Sequence, residues 1–130
     1  MPYLLDTDWN IHVLAGNADV VTTIERLSGD RIFASRFSVA ELYEGAFRSP
    51  NPQARLQAFR HFISGYRTAI PDDETAERFA ETRSTLRRRG DLIPDLDLLI
   101  AATALRHDLT VLSFNTRHLA RVPNLRIFAS

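Results

Sequence analysis

Neither cysteine nor lysine occurs anywhere in the 130 residues. The first absence excludes disulfides, thiolate metal sites and cysteine nucleophiles together, and it suits a reducing, cytoplasmic setting. The second excludes every reaction that needs a lysine. All 16 basic residues are arginine, a bias that genomic composition alone can produce. Net charge is missing too, because 16 acids balance the 16 arginines. No global attraction toward nucleic acid follows, and any such attraction must be local. Long apolar runs are also absent: the first one stops at Asp6 with no basic stretch before it, so neither a signal peptide nor a membrane span is expected. What is present is enough hydrophobic residue, 45%, to bury a sizeable core in one domain spanning 1–130. No repeat, linker or low-complexity segment interrupts it.

Strand and helix signals alternate from end to end. Pro2 to Leu5 reads as a short buried strand. Trp9 to Ala15 suits a helix closed by Gly16, and Asp19 to Ser28 another closed by Gly29. Arg31 to Ala34 is a strand. Ser38 to Arg48 is an amphipathic helix, since Val39, Leu42, Tyr43, Ala46 and Phe47 recur at helical spacing. A further helix runs from Pro52 to Ser64, a strand from Tyr66 to Ile70, and a long helix from Asp73 to Arg89 with acids first and arginines last, as the helix dipole favours. Asp95 to about His107 is apolar on every side and should be a buried helix. Leu109–Ser113 is a strand, Thr116–Ala120 one helical turn, and Leu125–Phe128 a last strand. Strands separated by helices imply parallel pairing with helices on both faces, a compact α/β/α sandwich.

Two acids stand out against this frame. Asp97 heads the apolar run Leu98 to Leu105, where an ionised carboxylate needs a partner. Asp6 falls at the carboxyl end of the first strand, where open α/β sheets place their crevices. A divalent cation held by carboxylate oxygens is the simplest partner they could share. The Asp6-Thr7-Asp8 pattern also occurs in haloacid-dehalogenase-type phosphatases and receiver domains, but both use a lysine in the phosphate site. A metal-dependent nuclease remains, in which the acids hold the cation. Glu41 has two open readings. Ser38 and Glu41 have the spacing of a capping box, yet the helical wheel also sets Glu41 opposite the apolar stripe, facing solvent or a cleft. Asp95 reads as the cap of the buried helix, and Glu44 as a solvated partner of Arg48.

Four segments then resemble one family. They are Leu4-Leu5-Asp6-Thr7, Ser38-Val39-Ala40-Glu41-Leu42-Tyr43-Glu44-Gly45-Ala46, the stretch Ile93 to Ala104, and Val111-Leu112-Ser113-Phe114-Asn115-Thr116-Arg117. In this order they are similar to the PIN-domain toxins of the VapC type. The resemblance implies a PIN-like three-layer α/β/α sandwich with a central, mainly parallel sheet of about five strands. It implies a ribonuclease that needs Mg²⁺ or Mn²⁺, cuts RNA internally and is the toxin of a toxin–antitoxin pair. Asp6, Glu41 and Asp97 fall on the family's core acids. Thr7 and Ser113 fall where hydroxyls support the site, and Asn115 lies in its last polar segment. Many relatives carry a further acid there. Here the stretch reads Asn115-Thr116-Arg117-His118, which leaves His118 as a surface residue or as a softer ligand suiting Mn²⁺.

For such a site Asp6 and Asp97 are expected to bind the cation directly and Glu41 through water. Clustered carboxylates should raise at least one pKa. RNA would be drawn by Arg83, Arg87, Arg88 and Arg89, arginines suited to phosphate contact and to unpaired bases in a single-stranded or looped target of the tRNA or rRNA class. Trp9 suits helix packing or a base near Asp6. Phe59 and Phe62 suit the core or a partner, either a second copy in a homodimer or a VapB-like antitoxin segment. A rival reading is a PIN-like module that binds RNA or a partner without cutting, its last acidic position lost.

Overall fold

The computed structural model describes residues 2–27 and 31–128. Among these, four strands form one parallel sheet: β1 (Tyr3–Leu5), β2 (Ile32–Ser35), β3 (Arg67–Ala69) and β4 (Thr110–Leu112), in the order β3-β2-β1-β4. Seven helices accompany them: α1 (Thr7–Leu14), α2 (Ala18–Leu27), α3 (Arg36–Phe47), α4 (Pro52–Ile63), α5 (Asp73–Arg89), α6 (Asp95–His107) and α7 (Thr116–Leu119). The side-chain period of two sorts each strand between two cores. Leu4 and Val111 enter the cluster built with Leu86, Leu98, Ile100 and Ala104, while Leu5, Ile32 and Leu112 enter the one built with Trp9 and Val20. A third cluster, Ala34, Val39, Leu42 and Ile63, takes in Phe59 and Phe62, which are packed and only partly exposed. A sheet buried on both faces with helices on each is the expected sandwich.

The fifth predicted strand is reduced to a bridge. Ile127 pairs with Val111, whose N–H donates to the Arg126 carbonyl at 2.9 Å and whose carbonyl accepts from Phe128 at 2.8 Å. Pro123, which has no N–H, and Asn124, at a left-handed φ of 66°, turn the chain just before, leaving too little extended backbone for a ladder.

Local signals explain most helix ends. Asn51 caps α4, Asp72 and Thr75 cap α5 reciprocally, and Gly90 ends α5 at φ 69°. Gly29, expected to close α2, lies outside the described residues. Three expectations fail. The cap of α3 is Ser35, whose Oγ accepts from the N–H groups of Phe37 (3.0 Å) and Ser38 (3.4 Å), so Ser38 sits inside the helix and Glu41 is no part of a box. The reason is that β2 runs straight into α3, and Ser35 holds the extended backbone a cap requires. Asp95 caps nothing: Pro94 occupies the cap of α6, and Asp95 pairs with Arg83 at 3.2 Å instead. Glu44 and Arg48 are exposed and form no ion pair among the described residues, a contact worth little at a solvated surface. Ser35→Ala should destabilise the protein by about 1 kcal/mol, read as a lower urea midpoint, while Ser38→Ala leaves that helix end intact.

Helix α6 is buried at Leu98 and from Ile100 to Ala104, though not all round, since Leu96 at its first turn is 41% exposed. Each large side chain sealed there contributes about 1.5–3 kcal/mol. That burial anchors the helix whose first turn carries Asp97. Among the described residues no helix is long and apolar enough to cross a membrane.

Candidate active site

The strand order puts the switch point between β1 and β4, because the chain steps from β1 to β2 and β3 on one side and returns to β4 on the other. Crevices open outside the carboxyl ends of strands at such points. Asp6 follows β1 and Ser113 follows β4, and the Asp6 N–H donates to the Leu112 carbonyl at 3.0 Å, so the two ends are tied together.

Asp6 is only 5% exposed. Its Oδ1 accepts from the Thr7 N–H at 2.7 Å and its Oδ2 from the Ser113 hydroxyl at 2.7 Å. Burial pushes its carboxyl up to about 6 against these two bonds, with the charges of Asp8 and Asp97 adding to the rise. Desolvation of the charged form therefore outweighs the hydrogen bonds that favour it. The crowding expected of clustered acids is thus present, although burial and not repulsion is its main cause.

Glu41 is half-buried and reaches the site through Thr7, whose hydroxyl donates to Glu41 Oε1 at 2.6 Å. Asp97 stands in the first turn of α6, near the positive end of the helix dipole. Its Oδ2 accepts from the Asn115 amide at 2.8 Å and faces His118 Nδ1 at 2.9 Å. An ionised carboxylate can only accept, so the imidazole donates from Nδ1. The 3.2 Å approach of Asn115 Nδ2 to that same nitrogen is then proximity between two donors. These two residues answer the charge at the head of the apolar helix. His118 is accordingly not a free surface group: its side chain is 26% exposed and bonded to Asp97. Ser113 completes the chain by accepting the Asn115 N–H at 2.9 Å.

The three acids are thus linked through Thr7, Ser113 and Asn115. Among the described residues no three Asp, Glu or His side chains close into a ready metal cage. Like charges repel, and each carboxylate is held by neutral or imidazole donors instead. The donor set of Asp6, Glu41 and Asp97 is all carboxylate oxygen, which fits a hard divalent cation and not a thiophilic one.

Asp8 was absent from the expected site, yet its Oδ2 accepts the Phe114 N–H at 3.0 Å and lies 3.4 Å from the Ser113 hydroxyl. Burial raises its pKa as well. The Asp-x-Asp spacing was the available signal. Nearby in α1, Asn10 is fully buried with neither amide atom hydrogen-bonded among the described residues. Trp9 is 5% exposed and belongs to the core, so packing and not base contact is its role. Arg83 and Arg87, four residues apart on α5, lie on one side of that helix, and Arg83 is paired with Asp95, whereas Arg88 hydrogen-bonds Ser84 and Thr85 and Arg89 lines a cavity with Arg78 and Glu81, since successive helical positions diverge by about 100°.

An acid-lined switch point on this sandwich defines a PIN-type fold, and the chain belongs to the PIN domain family, whose profile matches residues 3–125. Its relatives are named ribonucleases. Ribonuclease VapC2 of Haemophilus influenzae is 29% identical over 126 residues, covering 97% of this chain and 96% of that protein. The tRNA(fMet)-specific endonuclease VapC of Salmonella typhimurium is 28% identical over 127 residues, with 98% and 96% covered. Among solved structures, VapBC2 from Rickettsia felis bound to a promoter DNA fragment superposes with a TM-score of 0.91 at 25% identity over 98% of each chain. DNA-bound VapBC from Salmonella typhimurium gives 0.90 at 26% identity, covering 98% of this chain and 97% of that one.

Proposed function

We propose that this PIN-domain protein is an endoribonuclease, the toxin of a toxin–antitoxin pair, and that it cuts RNA by attack of water on a phosphodiester with Mg²⁺ or Mn²⁺. One observation carries the chemistry: Asp6 is kept in the interior at the sheet's switch point although burial costs the charged form enough to raise its pKa to about 6. A carboxylate held at such a cost to the fold is a functional candidate. The ribonuclease names of relatives spanning the whole chain supply the reaction class and RNA as substrate. Solved VapBC assemblies supply the reading of a VapB-like antitoxin as partner.

Asp6 and Asp97 would hold the cation directly and Glu41 through water. When bound, the ion would polarise the scissile phosphate and lower the pKa of a bound water. Thr7 fixes Glu41, Ser113 fixes Asp6, and Asn115 with His118 fixes Asp97, so each acid is aimed by a second group. Glu41 or Asp97 would accept the proton from the attacking water.

Purified protein should cut structured RNA in Mg²⁺ or Mn²⁺, stop in EDTA, and resume when the metal is restored. RNA bound but left intact in either metal would replace this reading with that of a binding module.

A further inference from the structure

Resting on the reading of RNA as substrate, we infer that the cleft beside Asp8, walled by Phe114 and rimmed by Asp19, is a nucleobase subsite that seats a base next to the bond being cut. The cleft has a volume of about 430 Å³ and is lined by Trp9, His12, Asn17, Asp19 and Phe114, among others. Phe114 immediately follows Ser113, the residue that holds Asp6, and gives its N–H to Asp8, so this wall of the cleft is tied to the Asp6 side of the site.

Phe114 is 54% exposed although its backbone N–H is held by Asp8 at the edge of the acid cluster, a placement that core packing does not require. Yet it is held in place. Asp8 takes its backbone N–H, Trp9 stacks beneath the ring at 5.2 Å and 20°, and His12 meets it edge-on at 5.0 Å. One ring face is backed by Trp9 of the core, and the residue as a whole stays more than half exposed. A ring ordered in advance loses little entropy when a base lies on it, and base–aromatic stacking needs no charge. That suits a neutral chain whose acid cluster repels phosphate. At the rim Asn17 Oδ1 is already taken by the Val20 N–H at 3.2 Å. The Asp19 carboxylate is exposed and makes no hydrogen bond among the described residues. It is an acceptor for the N–H edge of a stacked base.

Trp9 is the chain's one tryptophan, so its emission reports on the ring above it. The probe is a short fluorescein-labelled single-stranded RNA of mixed sequence, titrated in EDTA so that binding is read without cleavage. Phe114→Leu should weaken binding about tenfold, and Phe114→Tyr should stay within about twofold of the parent. An unlabelled RNA of that sequence should shift Trp9 emission, and an abasic ribose-phosphate oligomer of equal length should not. Leucine binding as tightly as phenylalanine, or an equal Trp9 response to the abasic oligomer, overturns the subsite. The two readings fail separately. Cleavage lost in Asp6→Asn with RNA binding indifferent to Phe114 removes the subsite alone. Binding that depends on Phe114, with no cleavage in either metal, removes the nuclease reading alone.

Discussion

Asp6→Asn should lower RNA cleavage by a factor on the order of 10³ or more, the loss typical of a central catalytic group, while making the protein harder to unfold near neutral pH. Both effects come from one carboxylate that is 5% exposed at the switch point of the sheet. Its pKa is raised from 3.8 to about 6, with burial the leading cause. Between those two values the folded chain still holds a proton that the unfolded chain has released, so acid favours the folded state there. Stability therefore falls as pH rises through that window and levels off above about 6. By linkage the full cost of the charged form is about 3 kcal/mol, and a neutral amide avoids it, its one oxygen accepting the Thr7 N–H while its NH2 group donates to the Ser113 oxygen. Allowing for imperfect amide geometry, the variant should gain about 1–3 kcal/mol at pH 8 in EDTA, and the gap should close near pH 4. Urea unfolding of both proteins at the two pH values measures this. A variant less stable than its parent at pH 8 would show that burial is not what raises the carboxyl.

Ser113→Ala is the second large effect, and it acts in the opposite direction on stability. The Ser113 hydroxyl donates to Asp6 Oδ2 at 2.7 Å and accepts the Asn115 N–H at 2.9 Å, joining the Asp6 and Asp97 halves of the site. Without it a buried carboxylate oxygen and a backbone amide each lose a partner, at a cost of about 2–3 kcal/mol. The bond from Ser113 is also the strongest influence holding the Asp6 pKa down, so its removal should raise that pKa further. Cleavage should drop about 10- to 100-fold, as when groups that orient metal ligands are lost. Its acid limb should move to higher pH. A fall in activity with an unmoved pH profile would assign Ser113 to folding alone.

Much of this was readable along the chain because the signals are local. Pro52, Gly90 and the acid-to-arginine order of Asp73–Arg89 mark helix ends within a few residues of themselves. The start of α3 shows the limit of such signals. Ser38 and Glu41 have the spacing of a capping box, but so local a pattern does not say where the preceding strand stops. Ser35, at the end of β2, took the cap. Phe114 carried no periodic or spacing signal at all, since its importance lies in which neighbours reach it.

Residue type and hydrophobic period, properties of short segments, marked Asp6 and Asp97 and ruled out cysteine and lysine chemistry, while Glu41 stayed open between a cap and a cleft and joined them only through the family resemblance. The chain alone could not say that Ser113 reaches Asp6 from 107 residues away, that Thr7 holds Glu41, or that His118 donates to Asp97. Those contacts depend on β4 pairing with β1 and on α6 lying beside α7, which only the packing of the whole sheet and its helices decides.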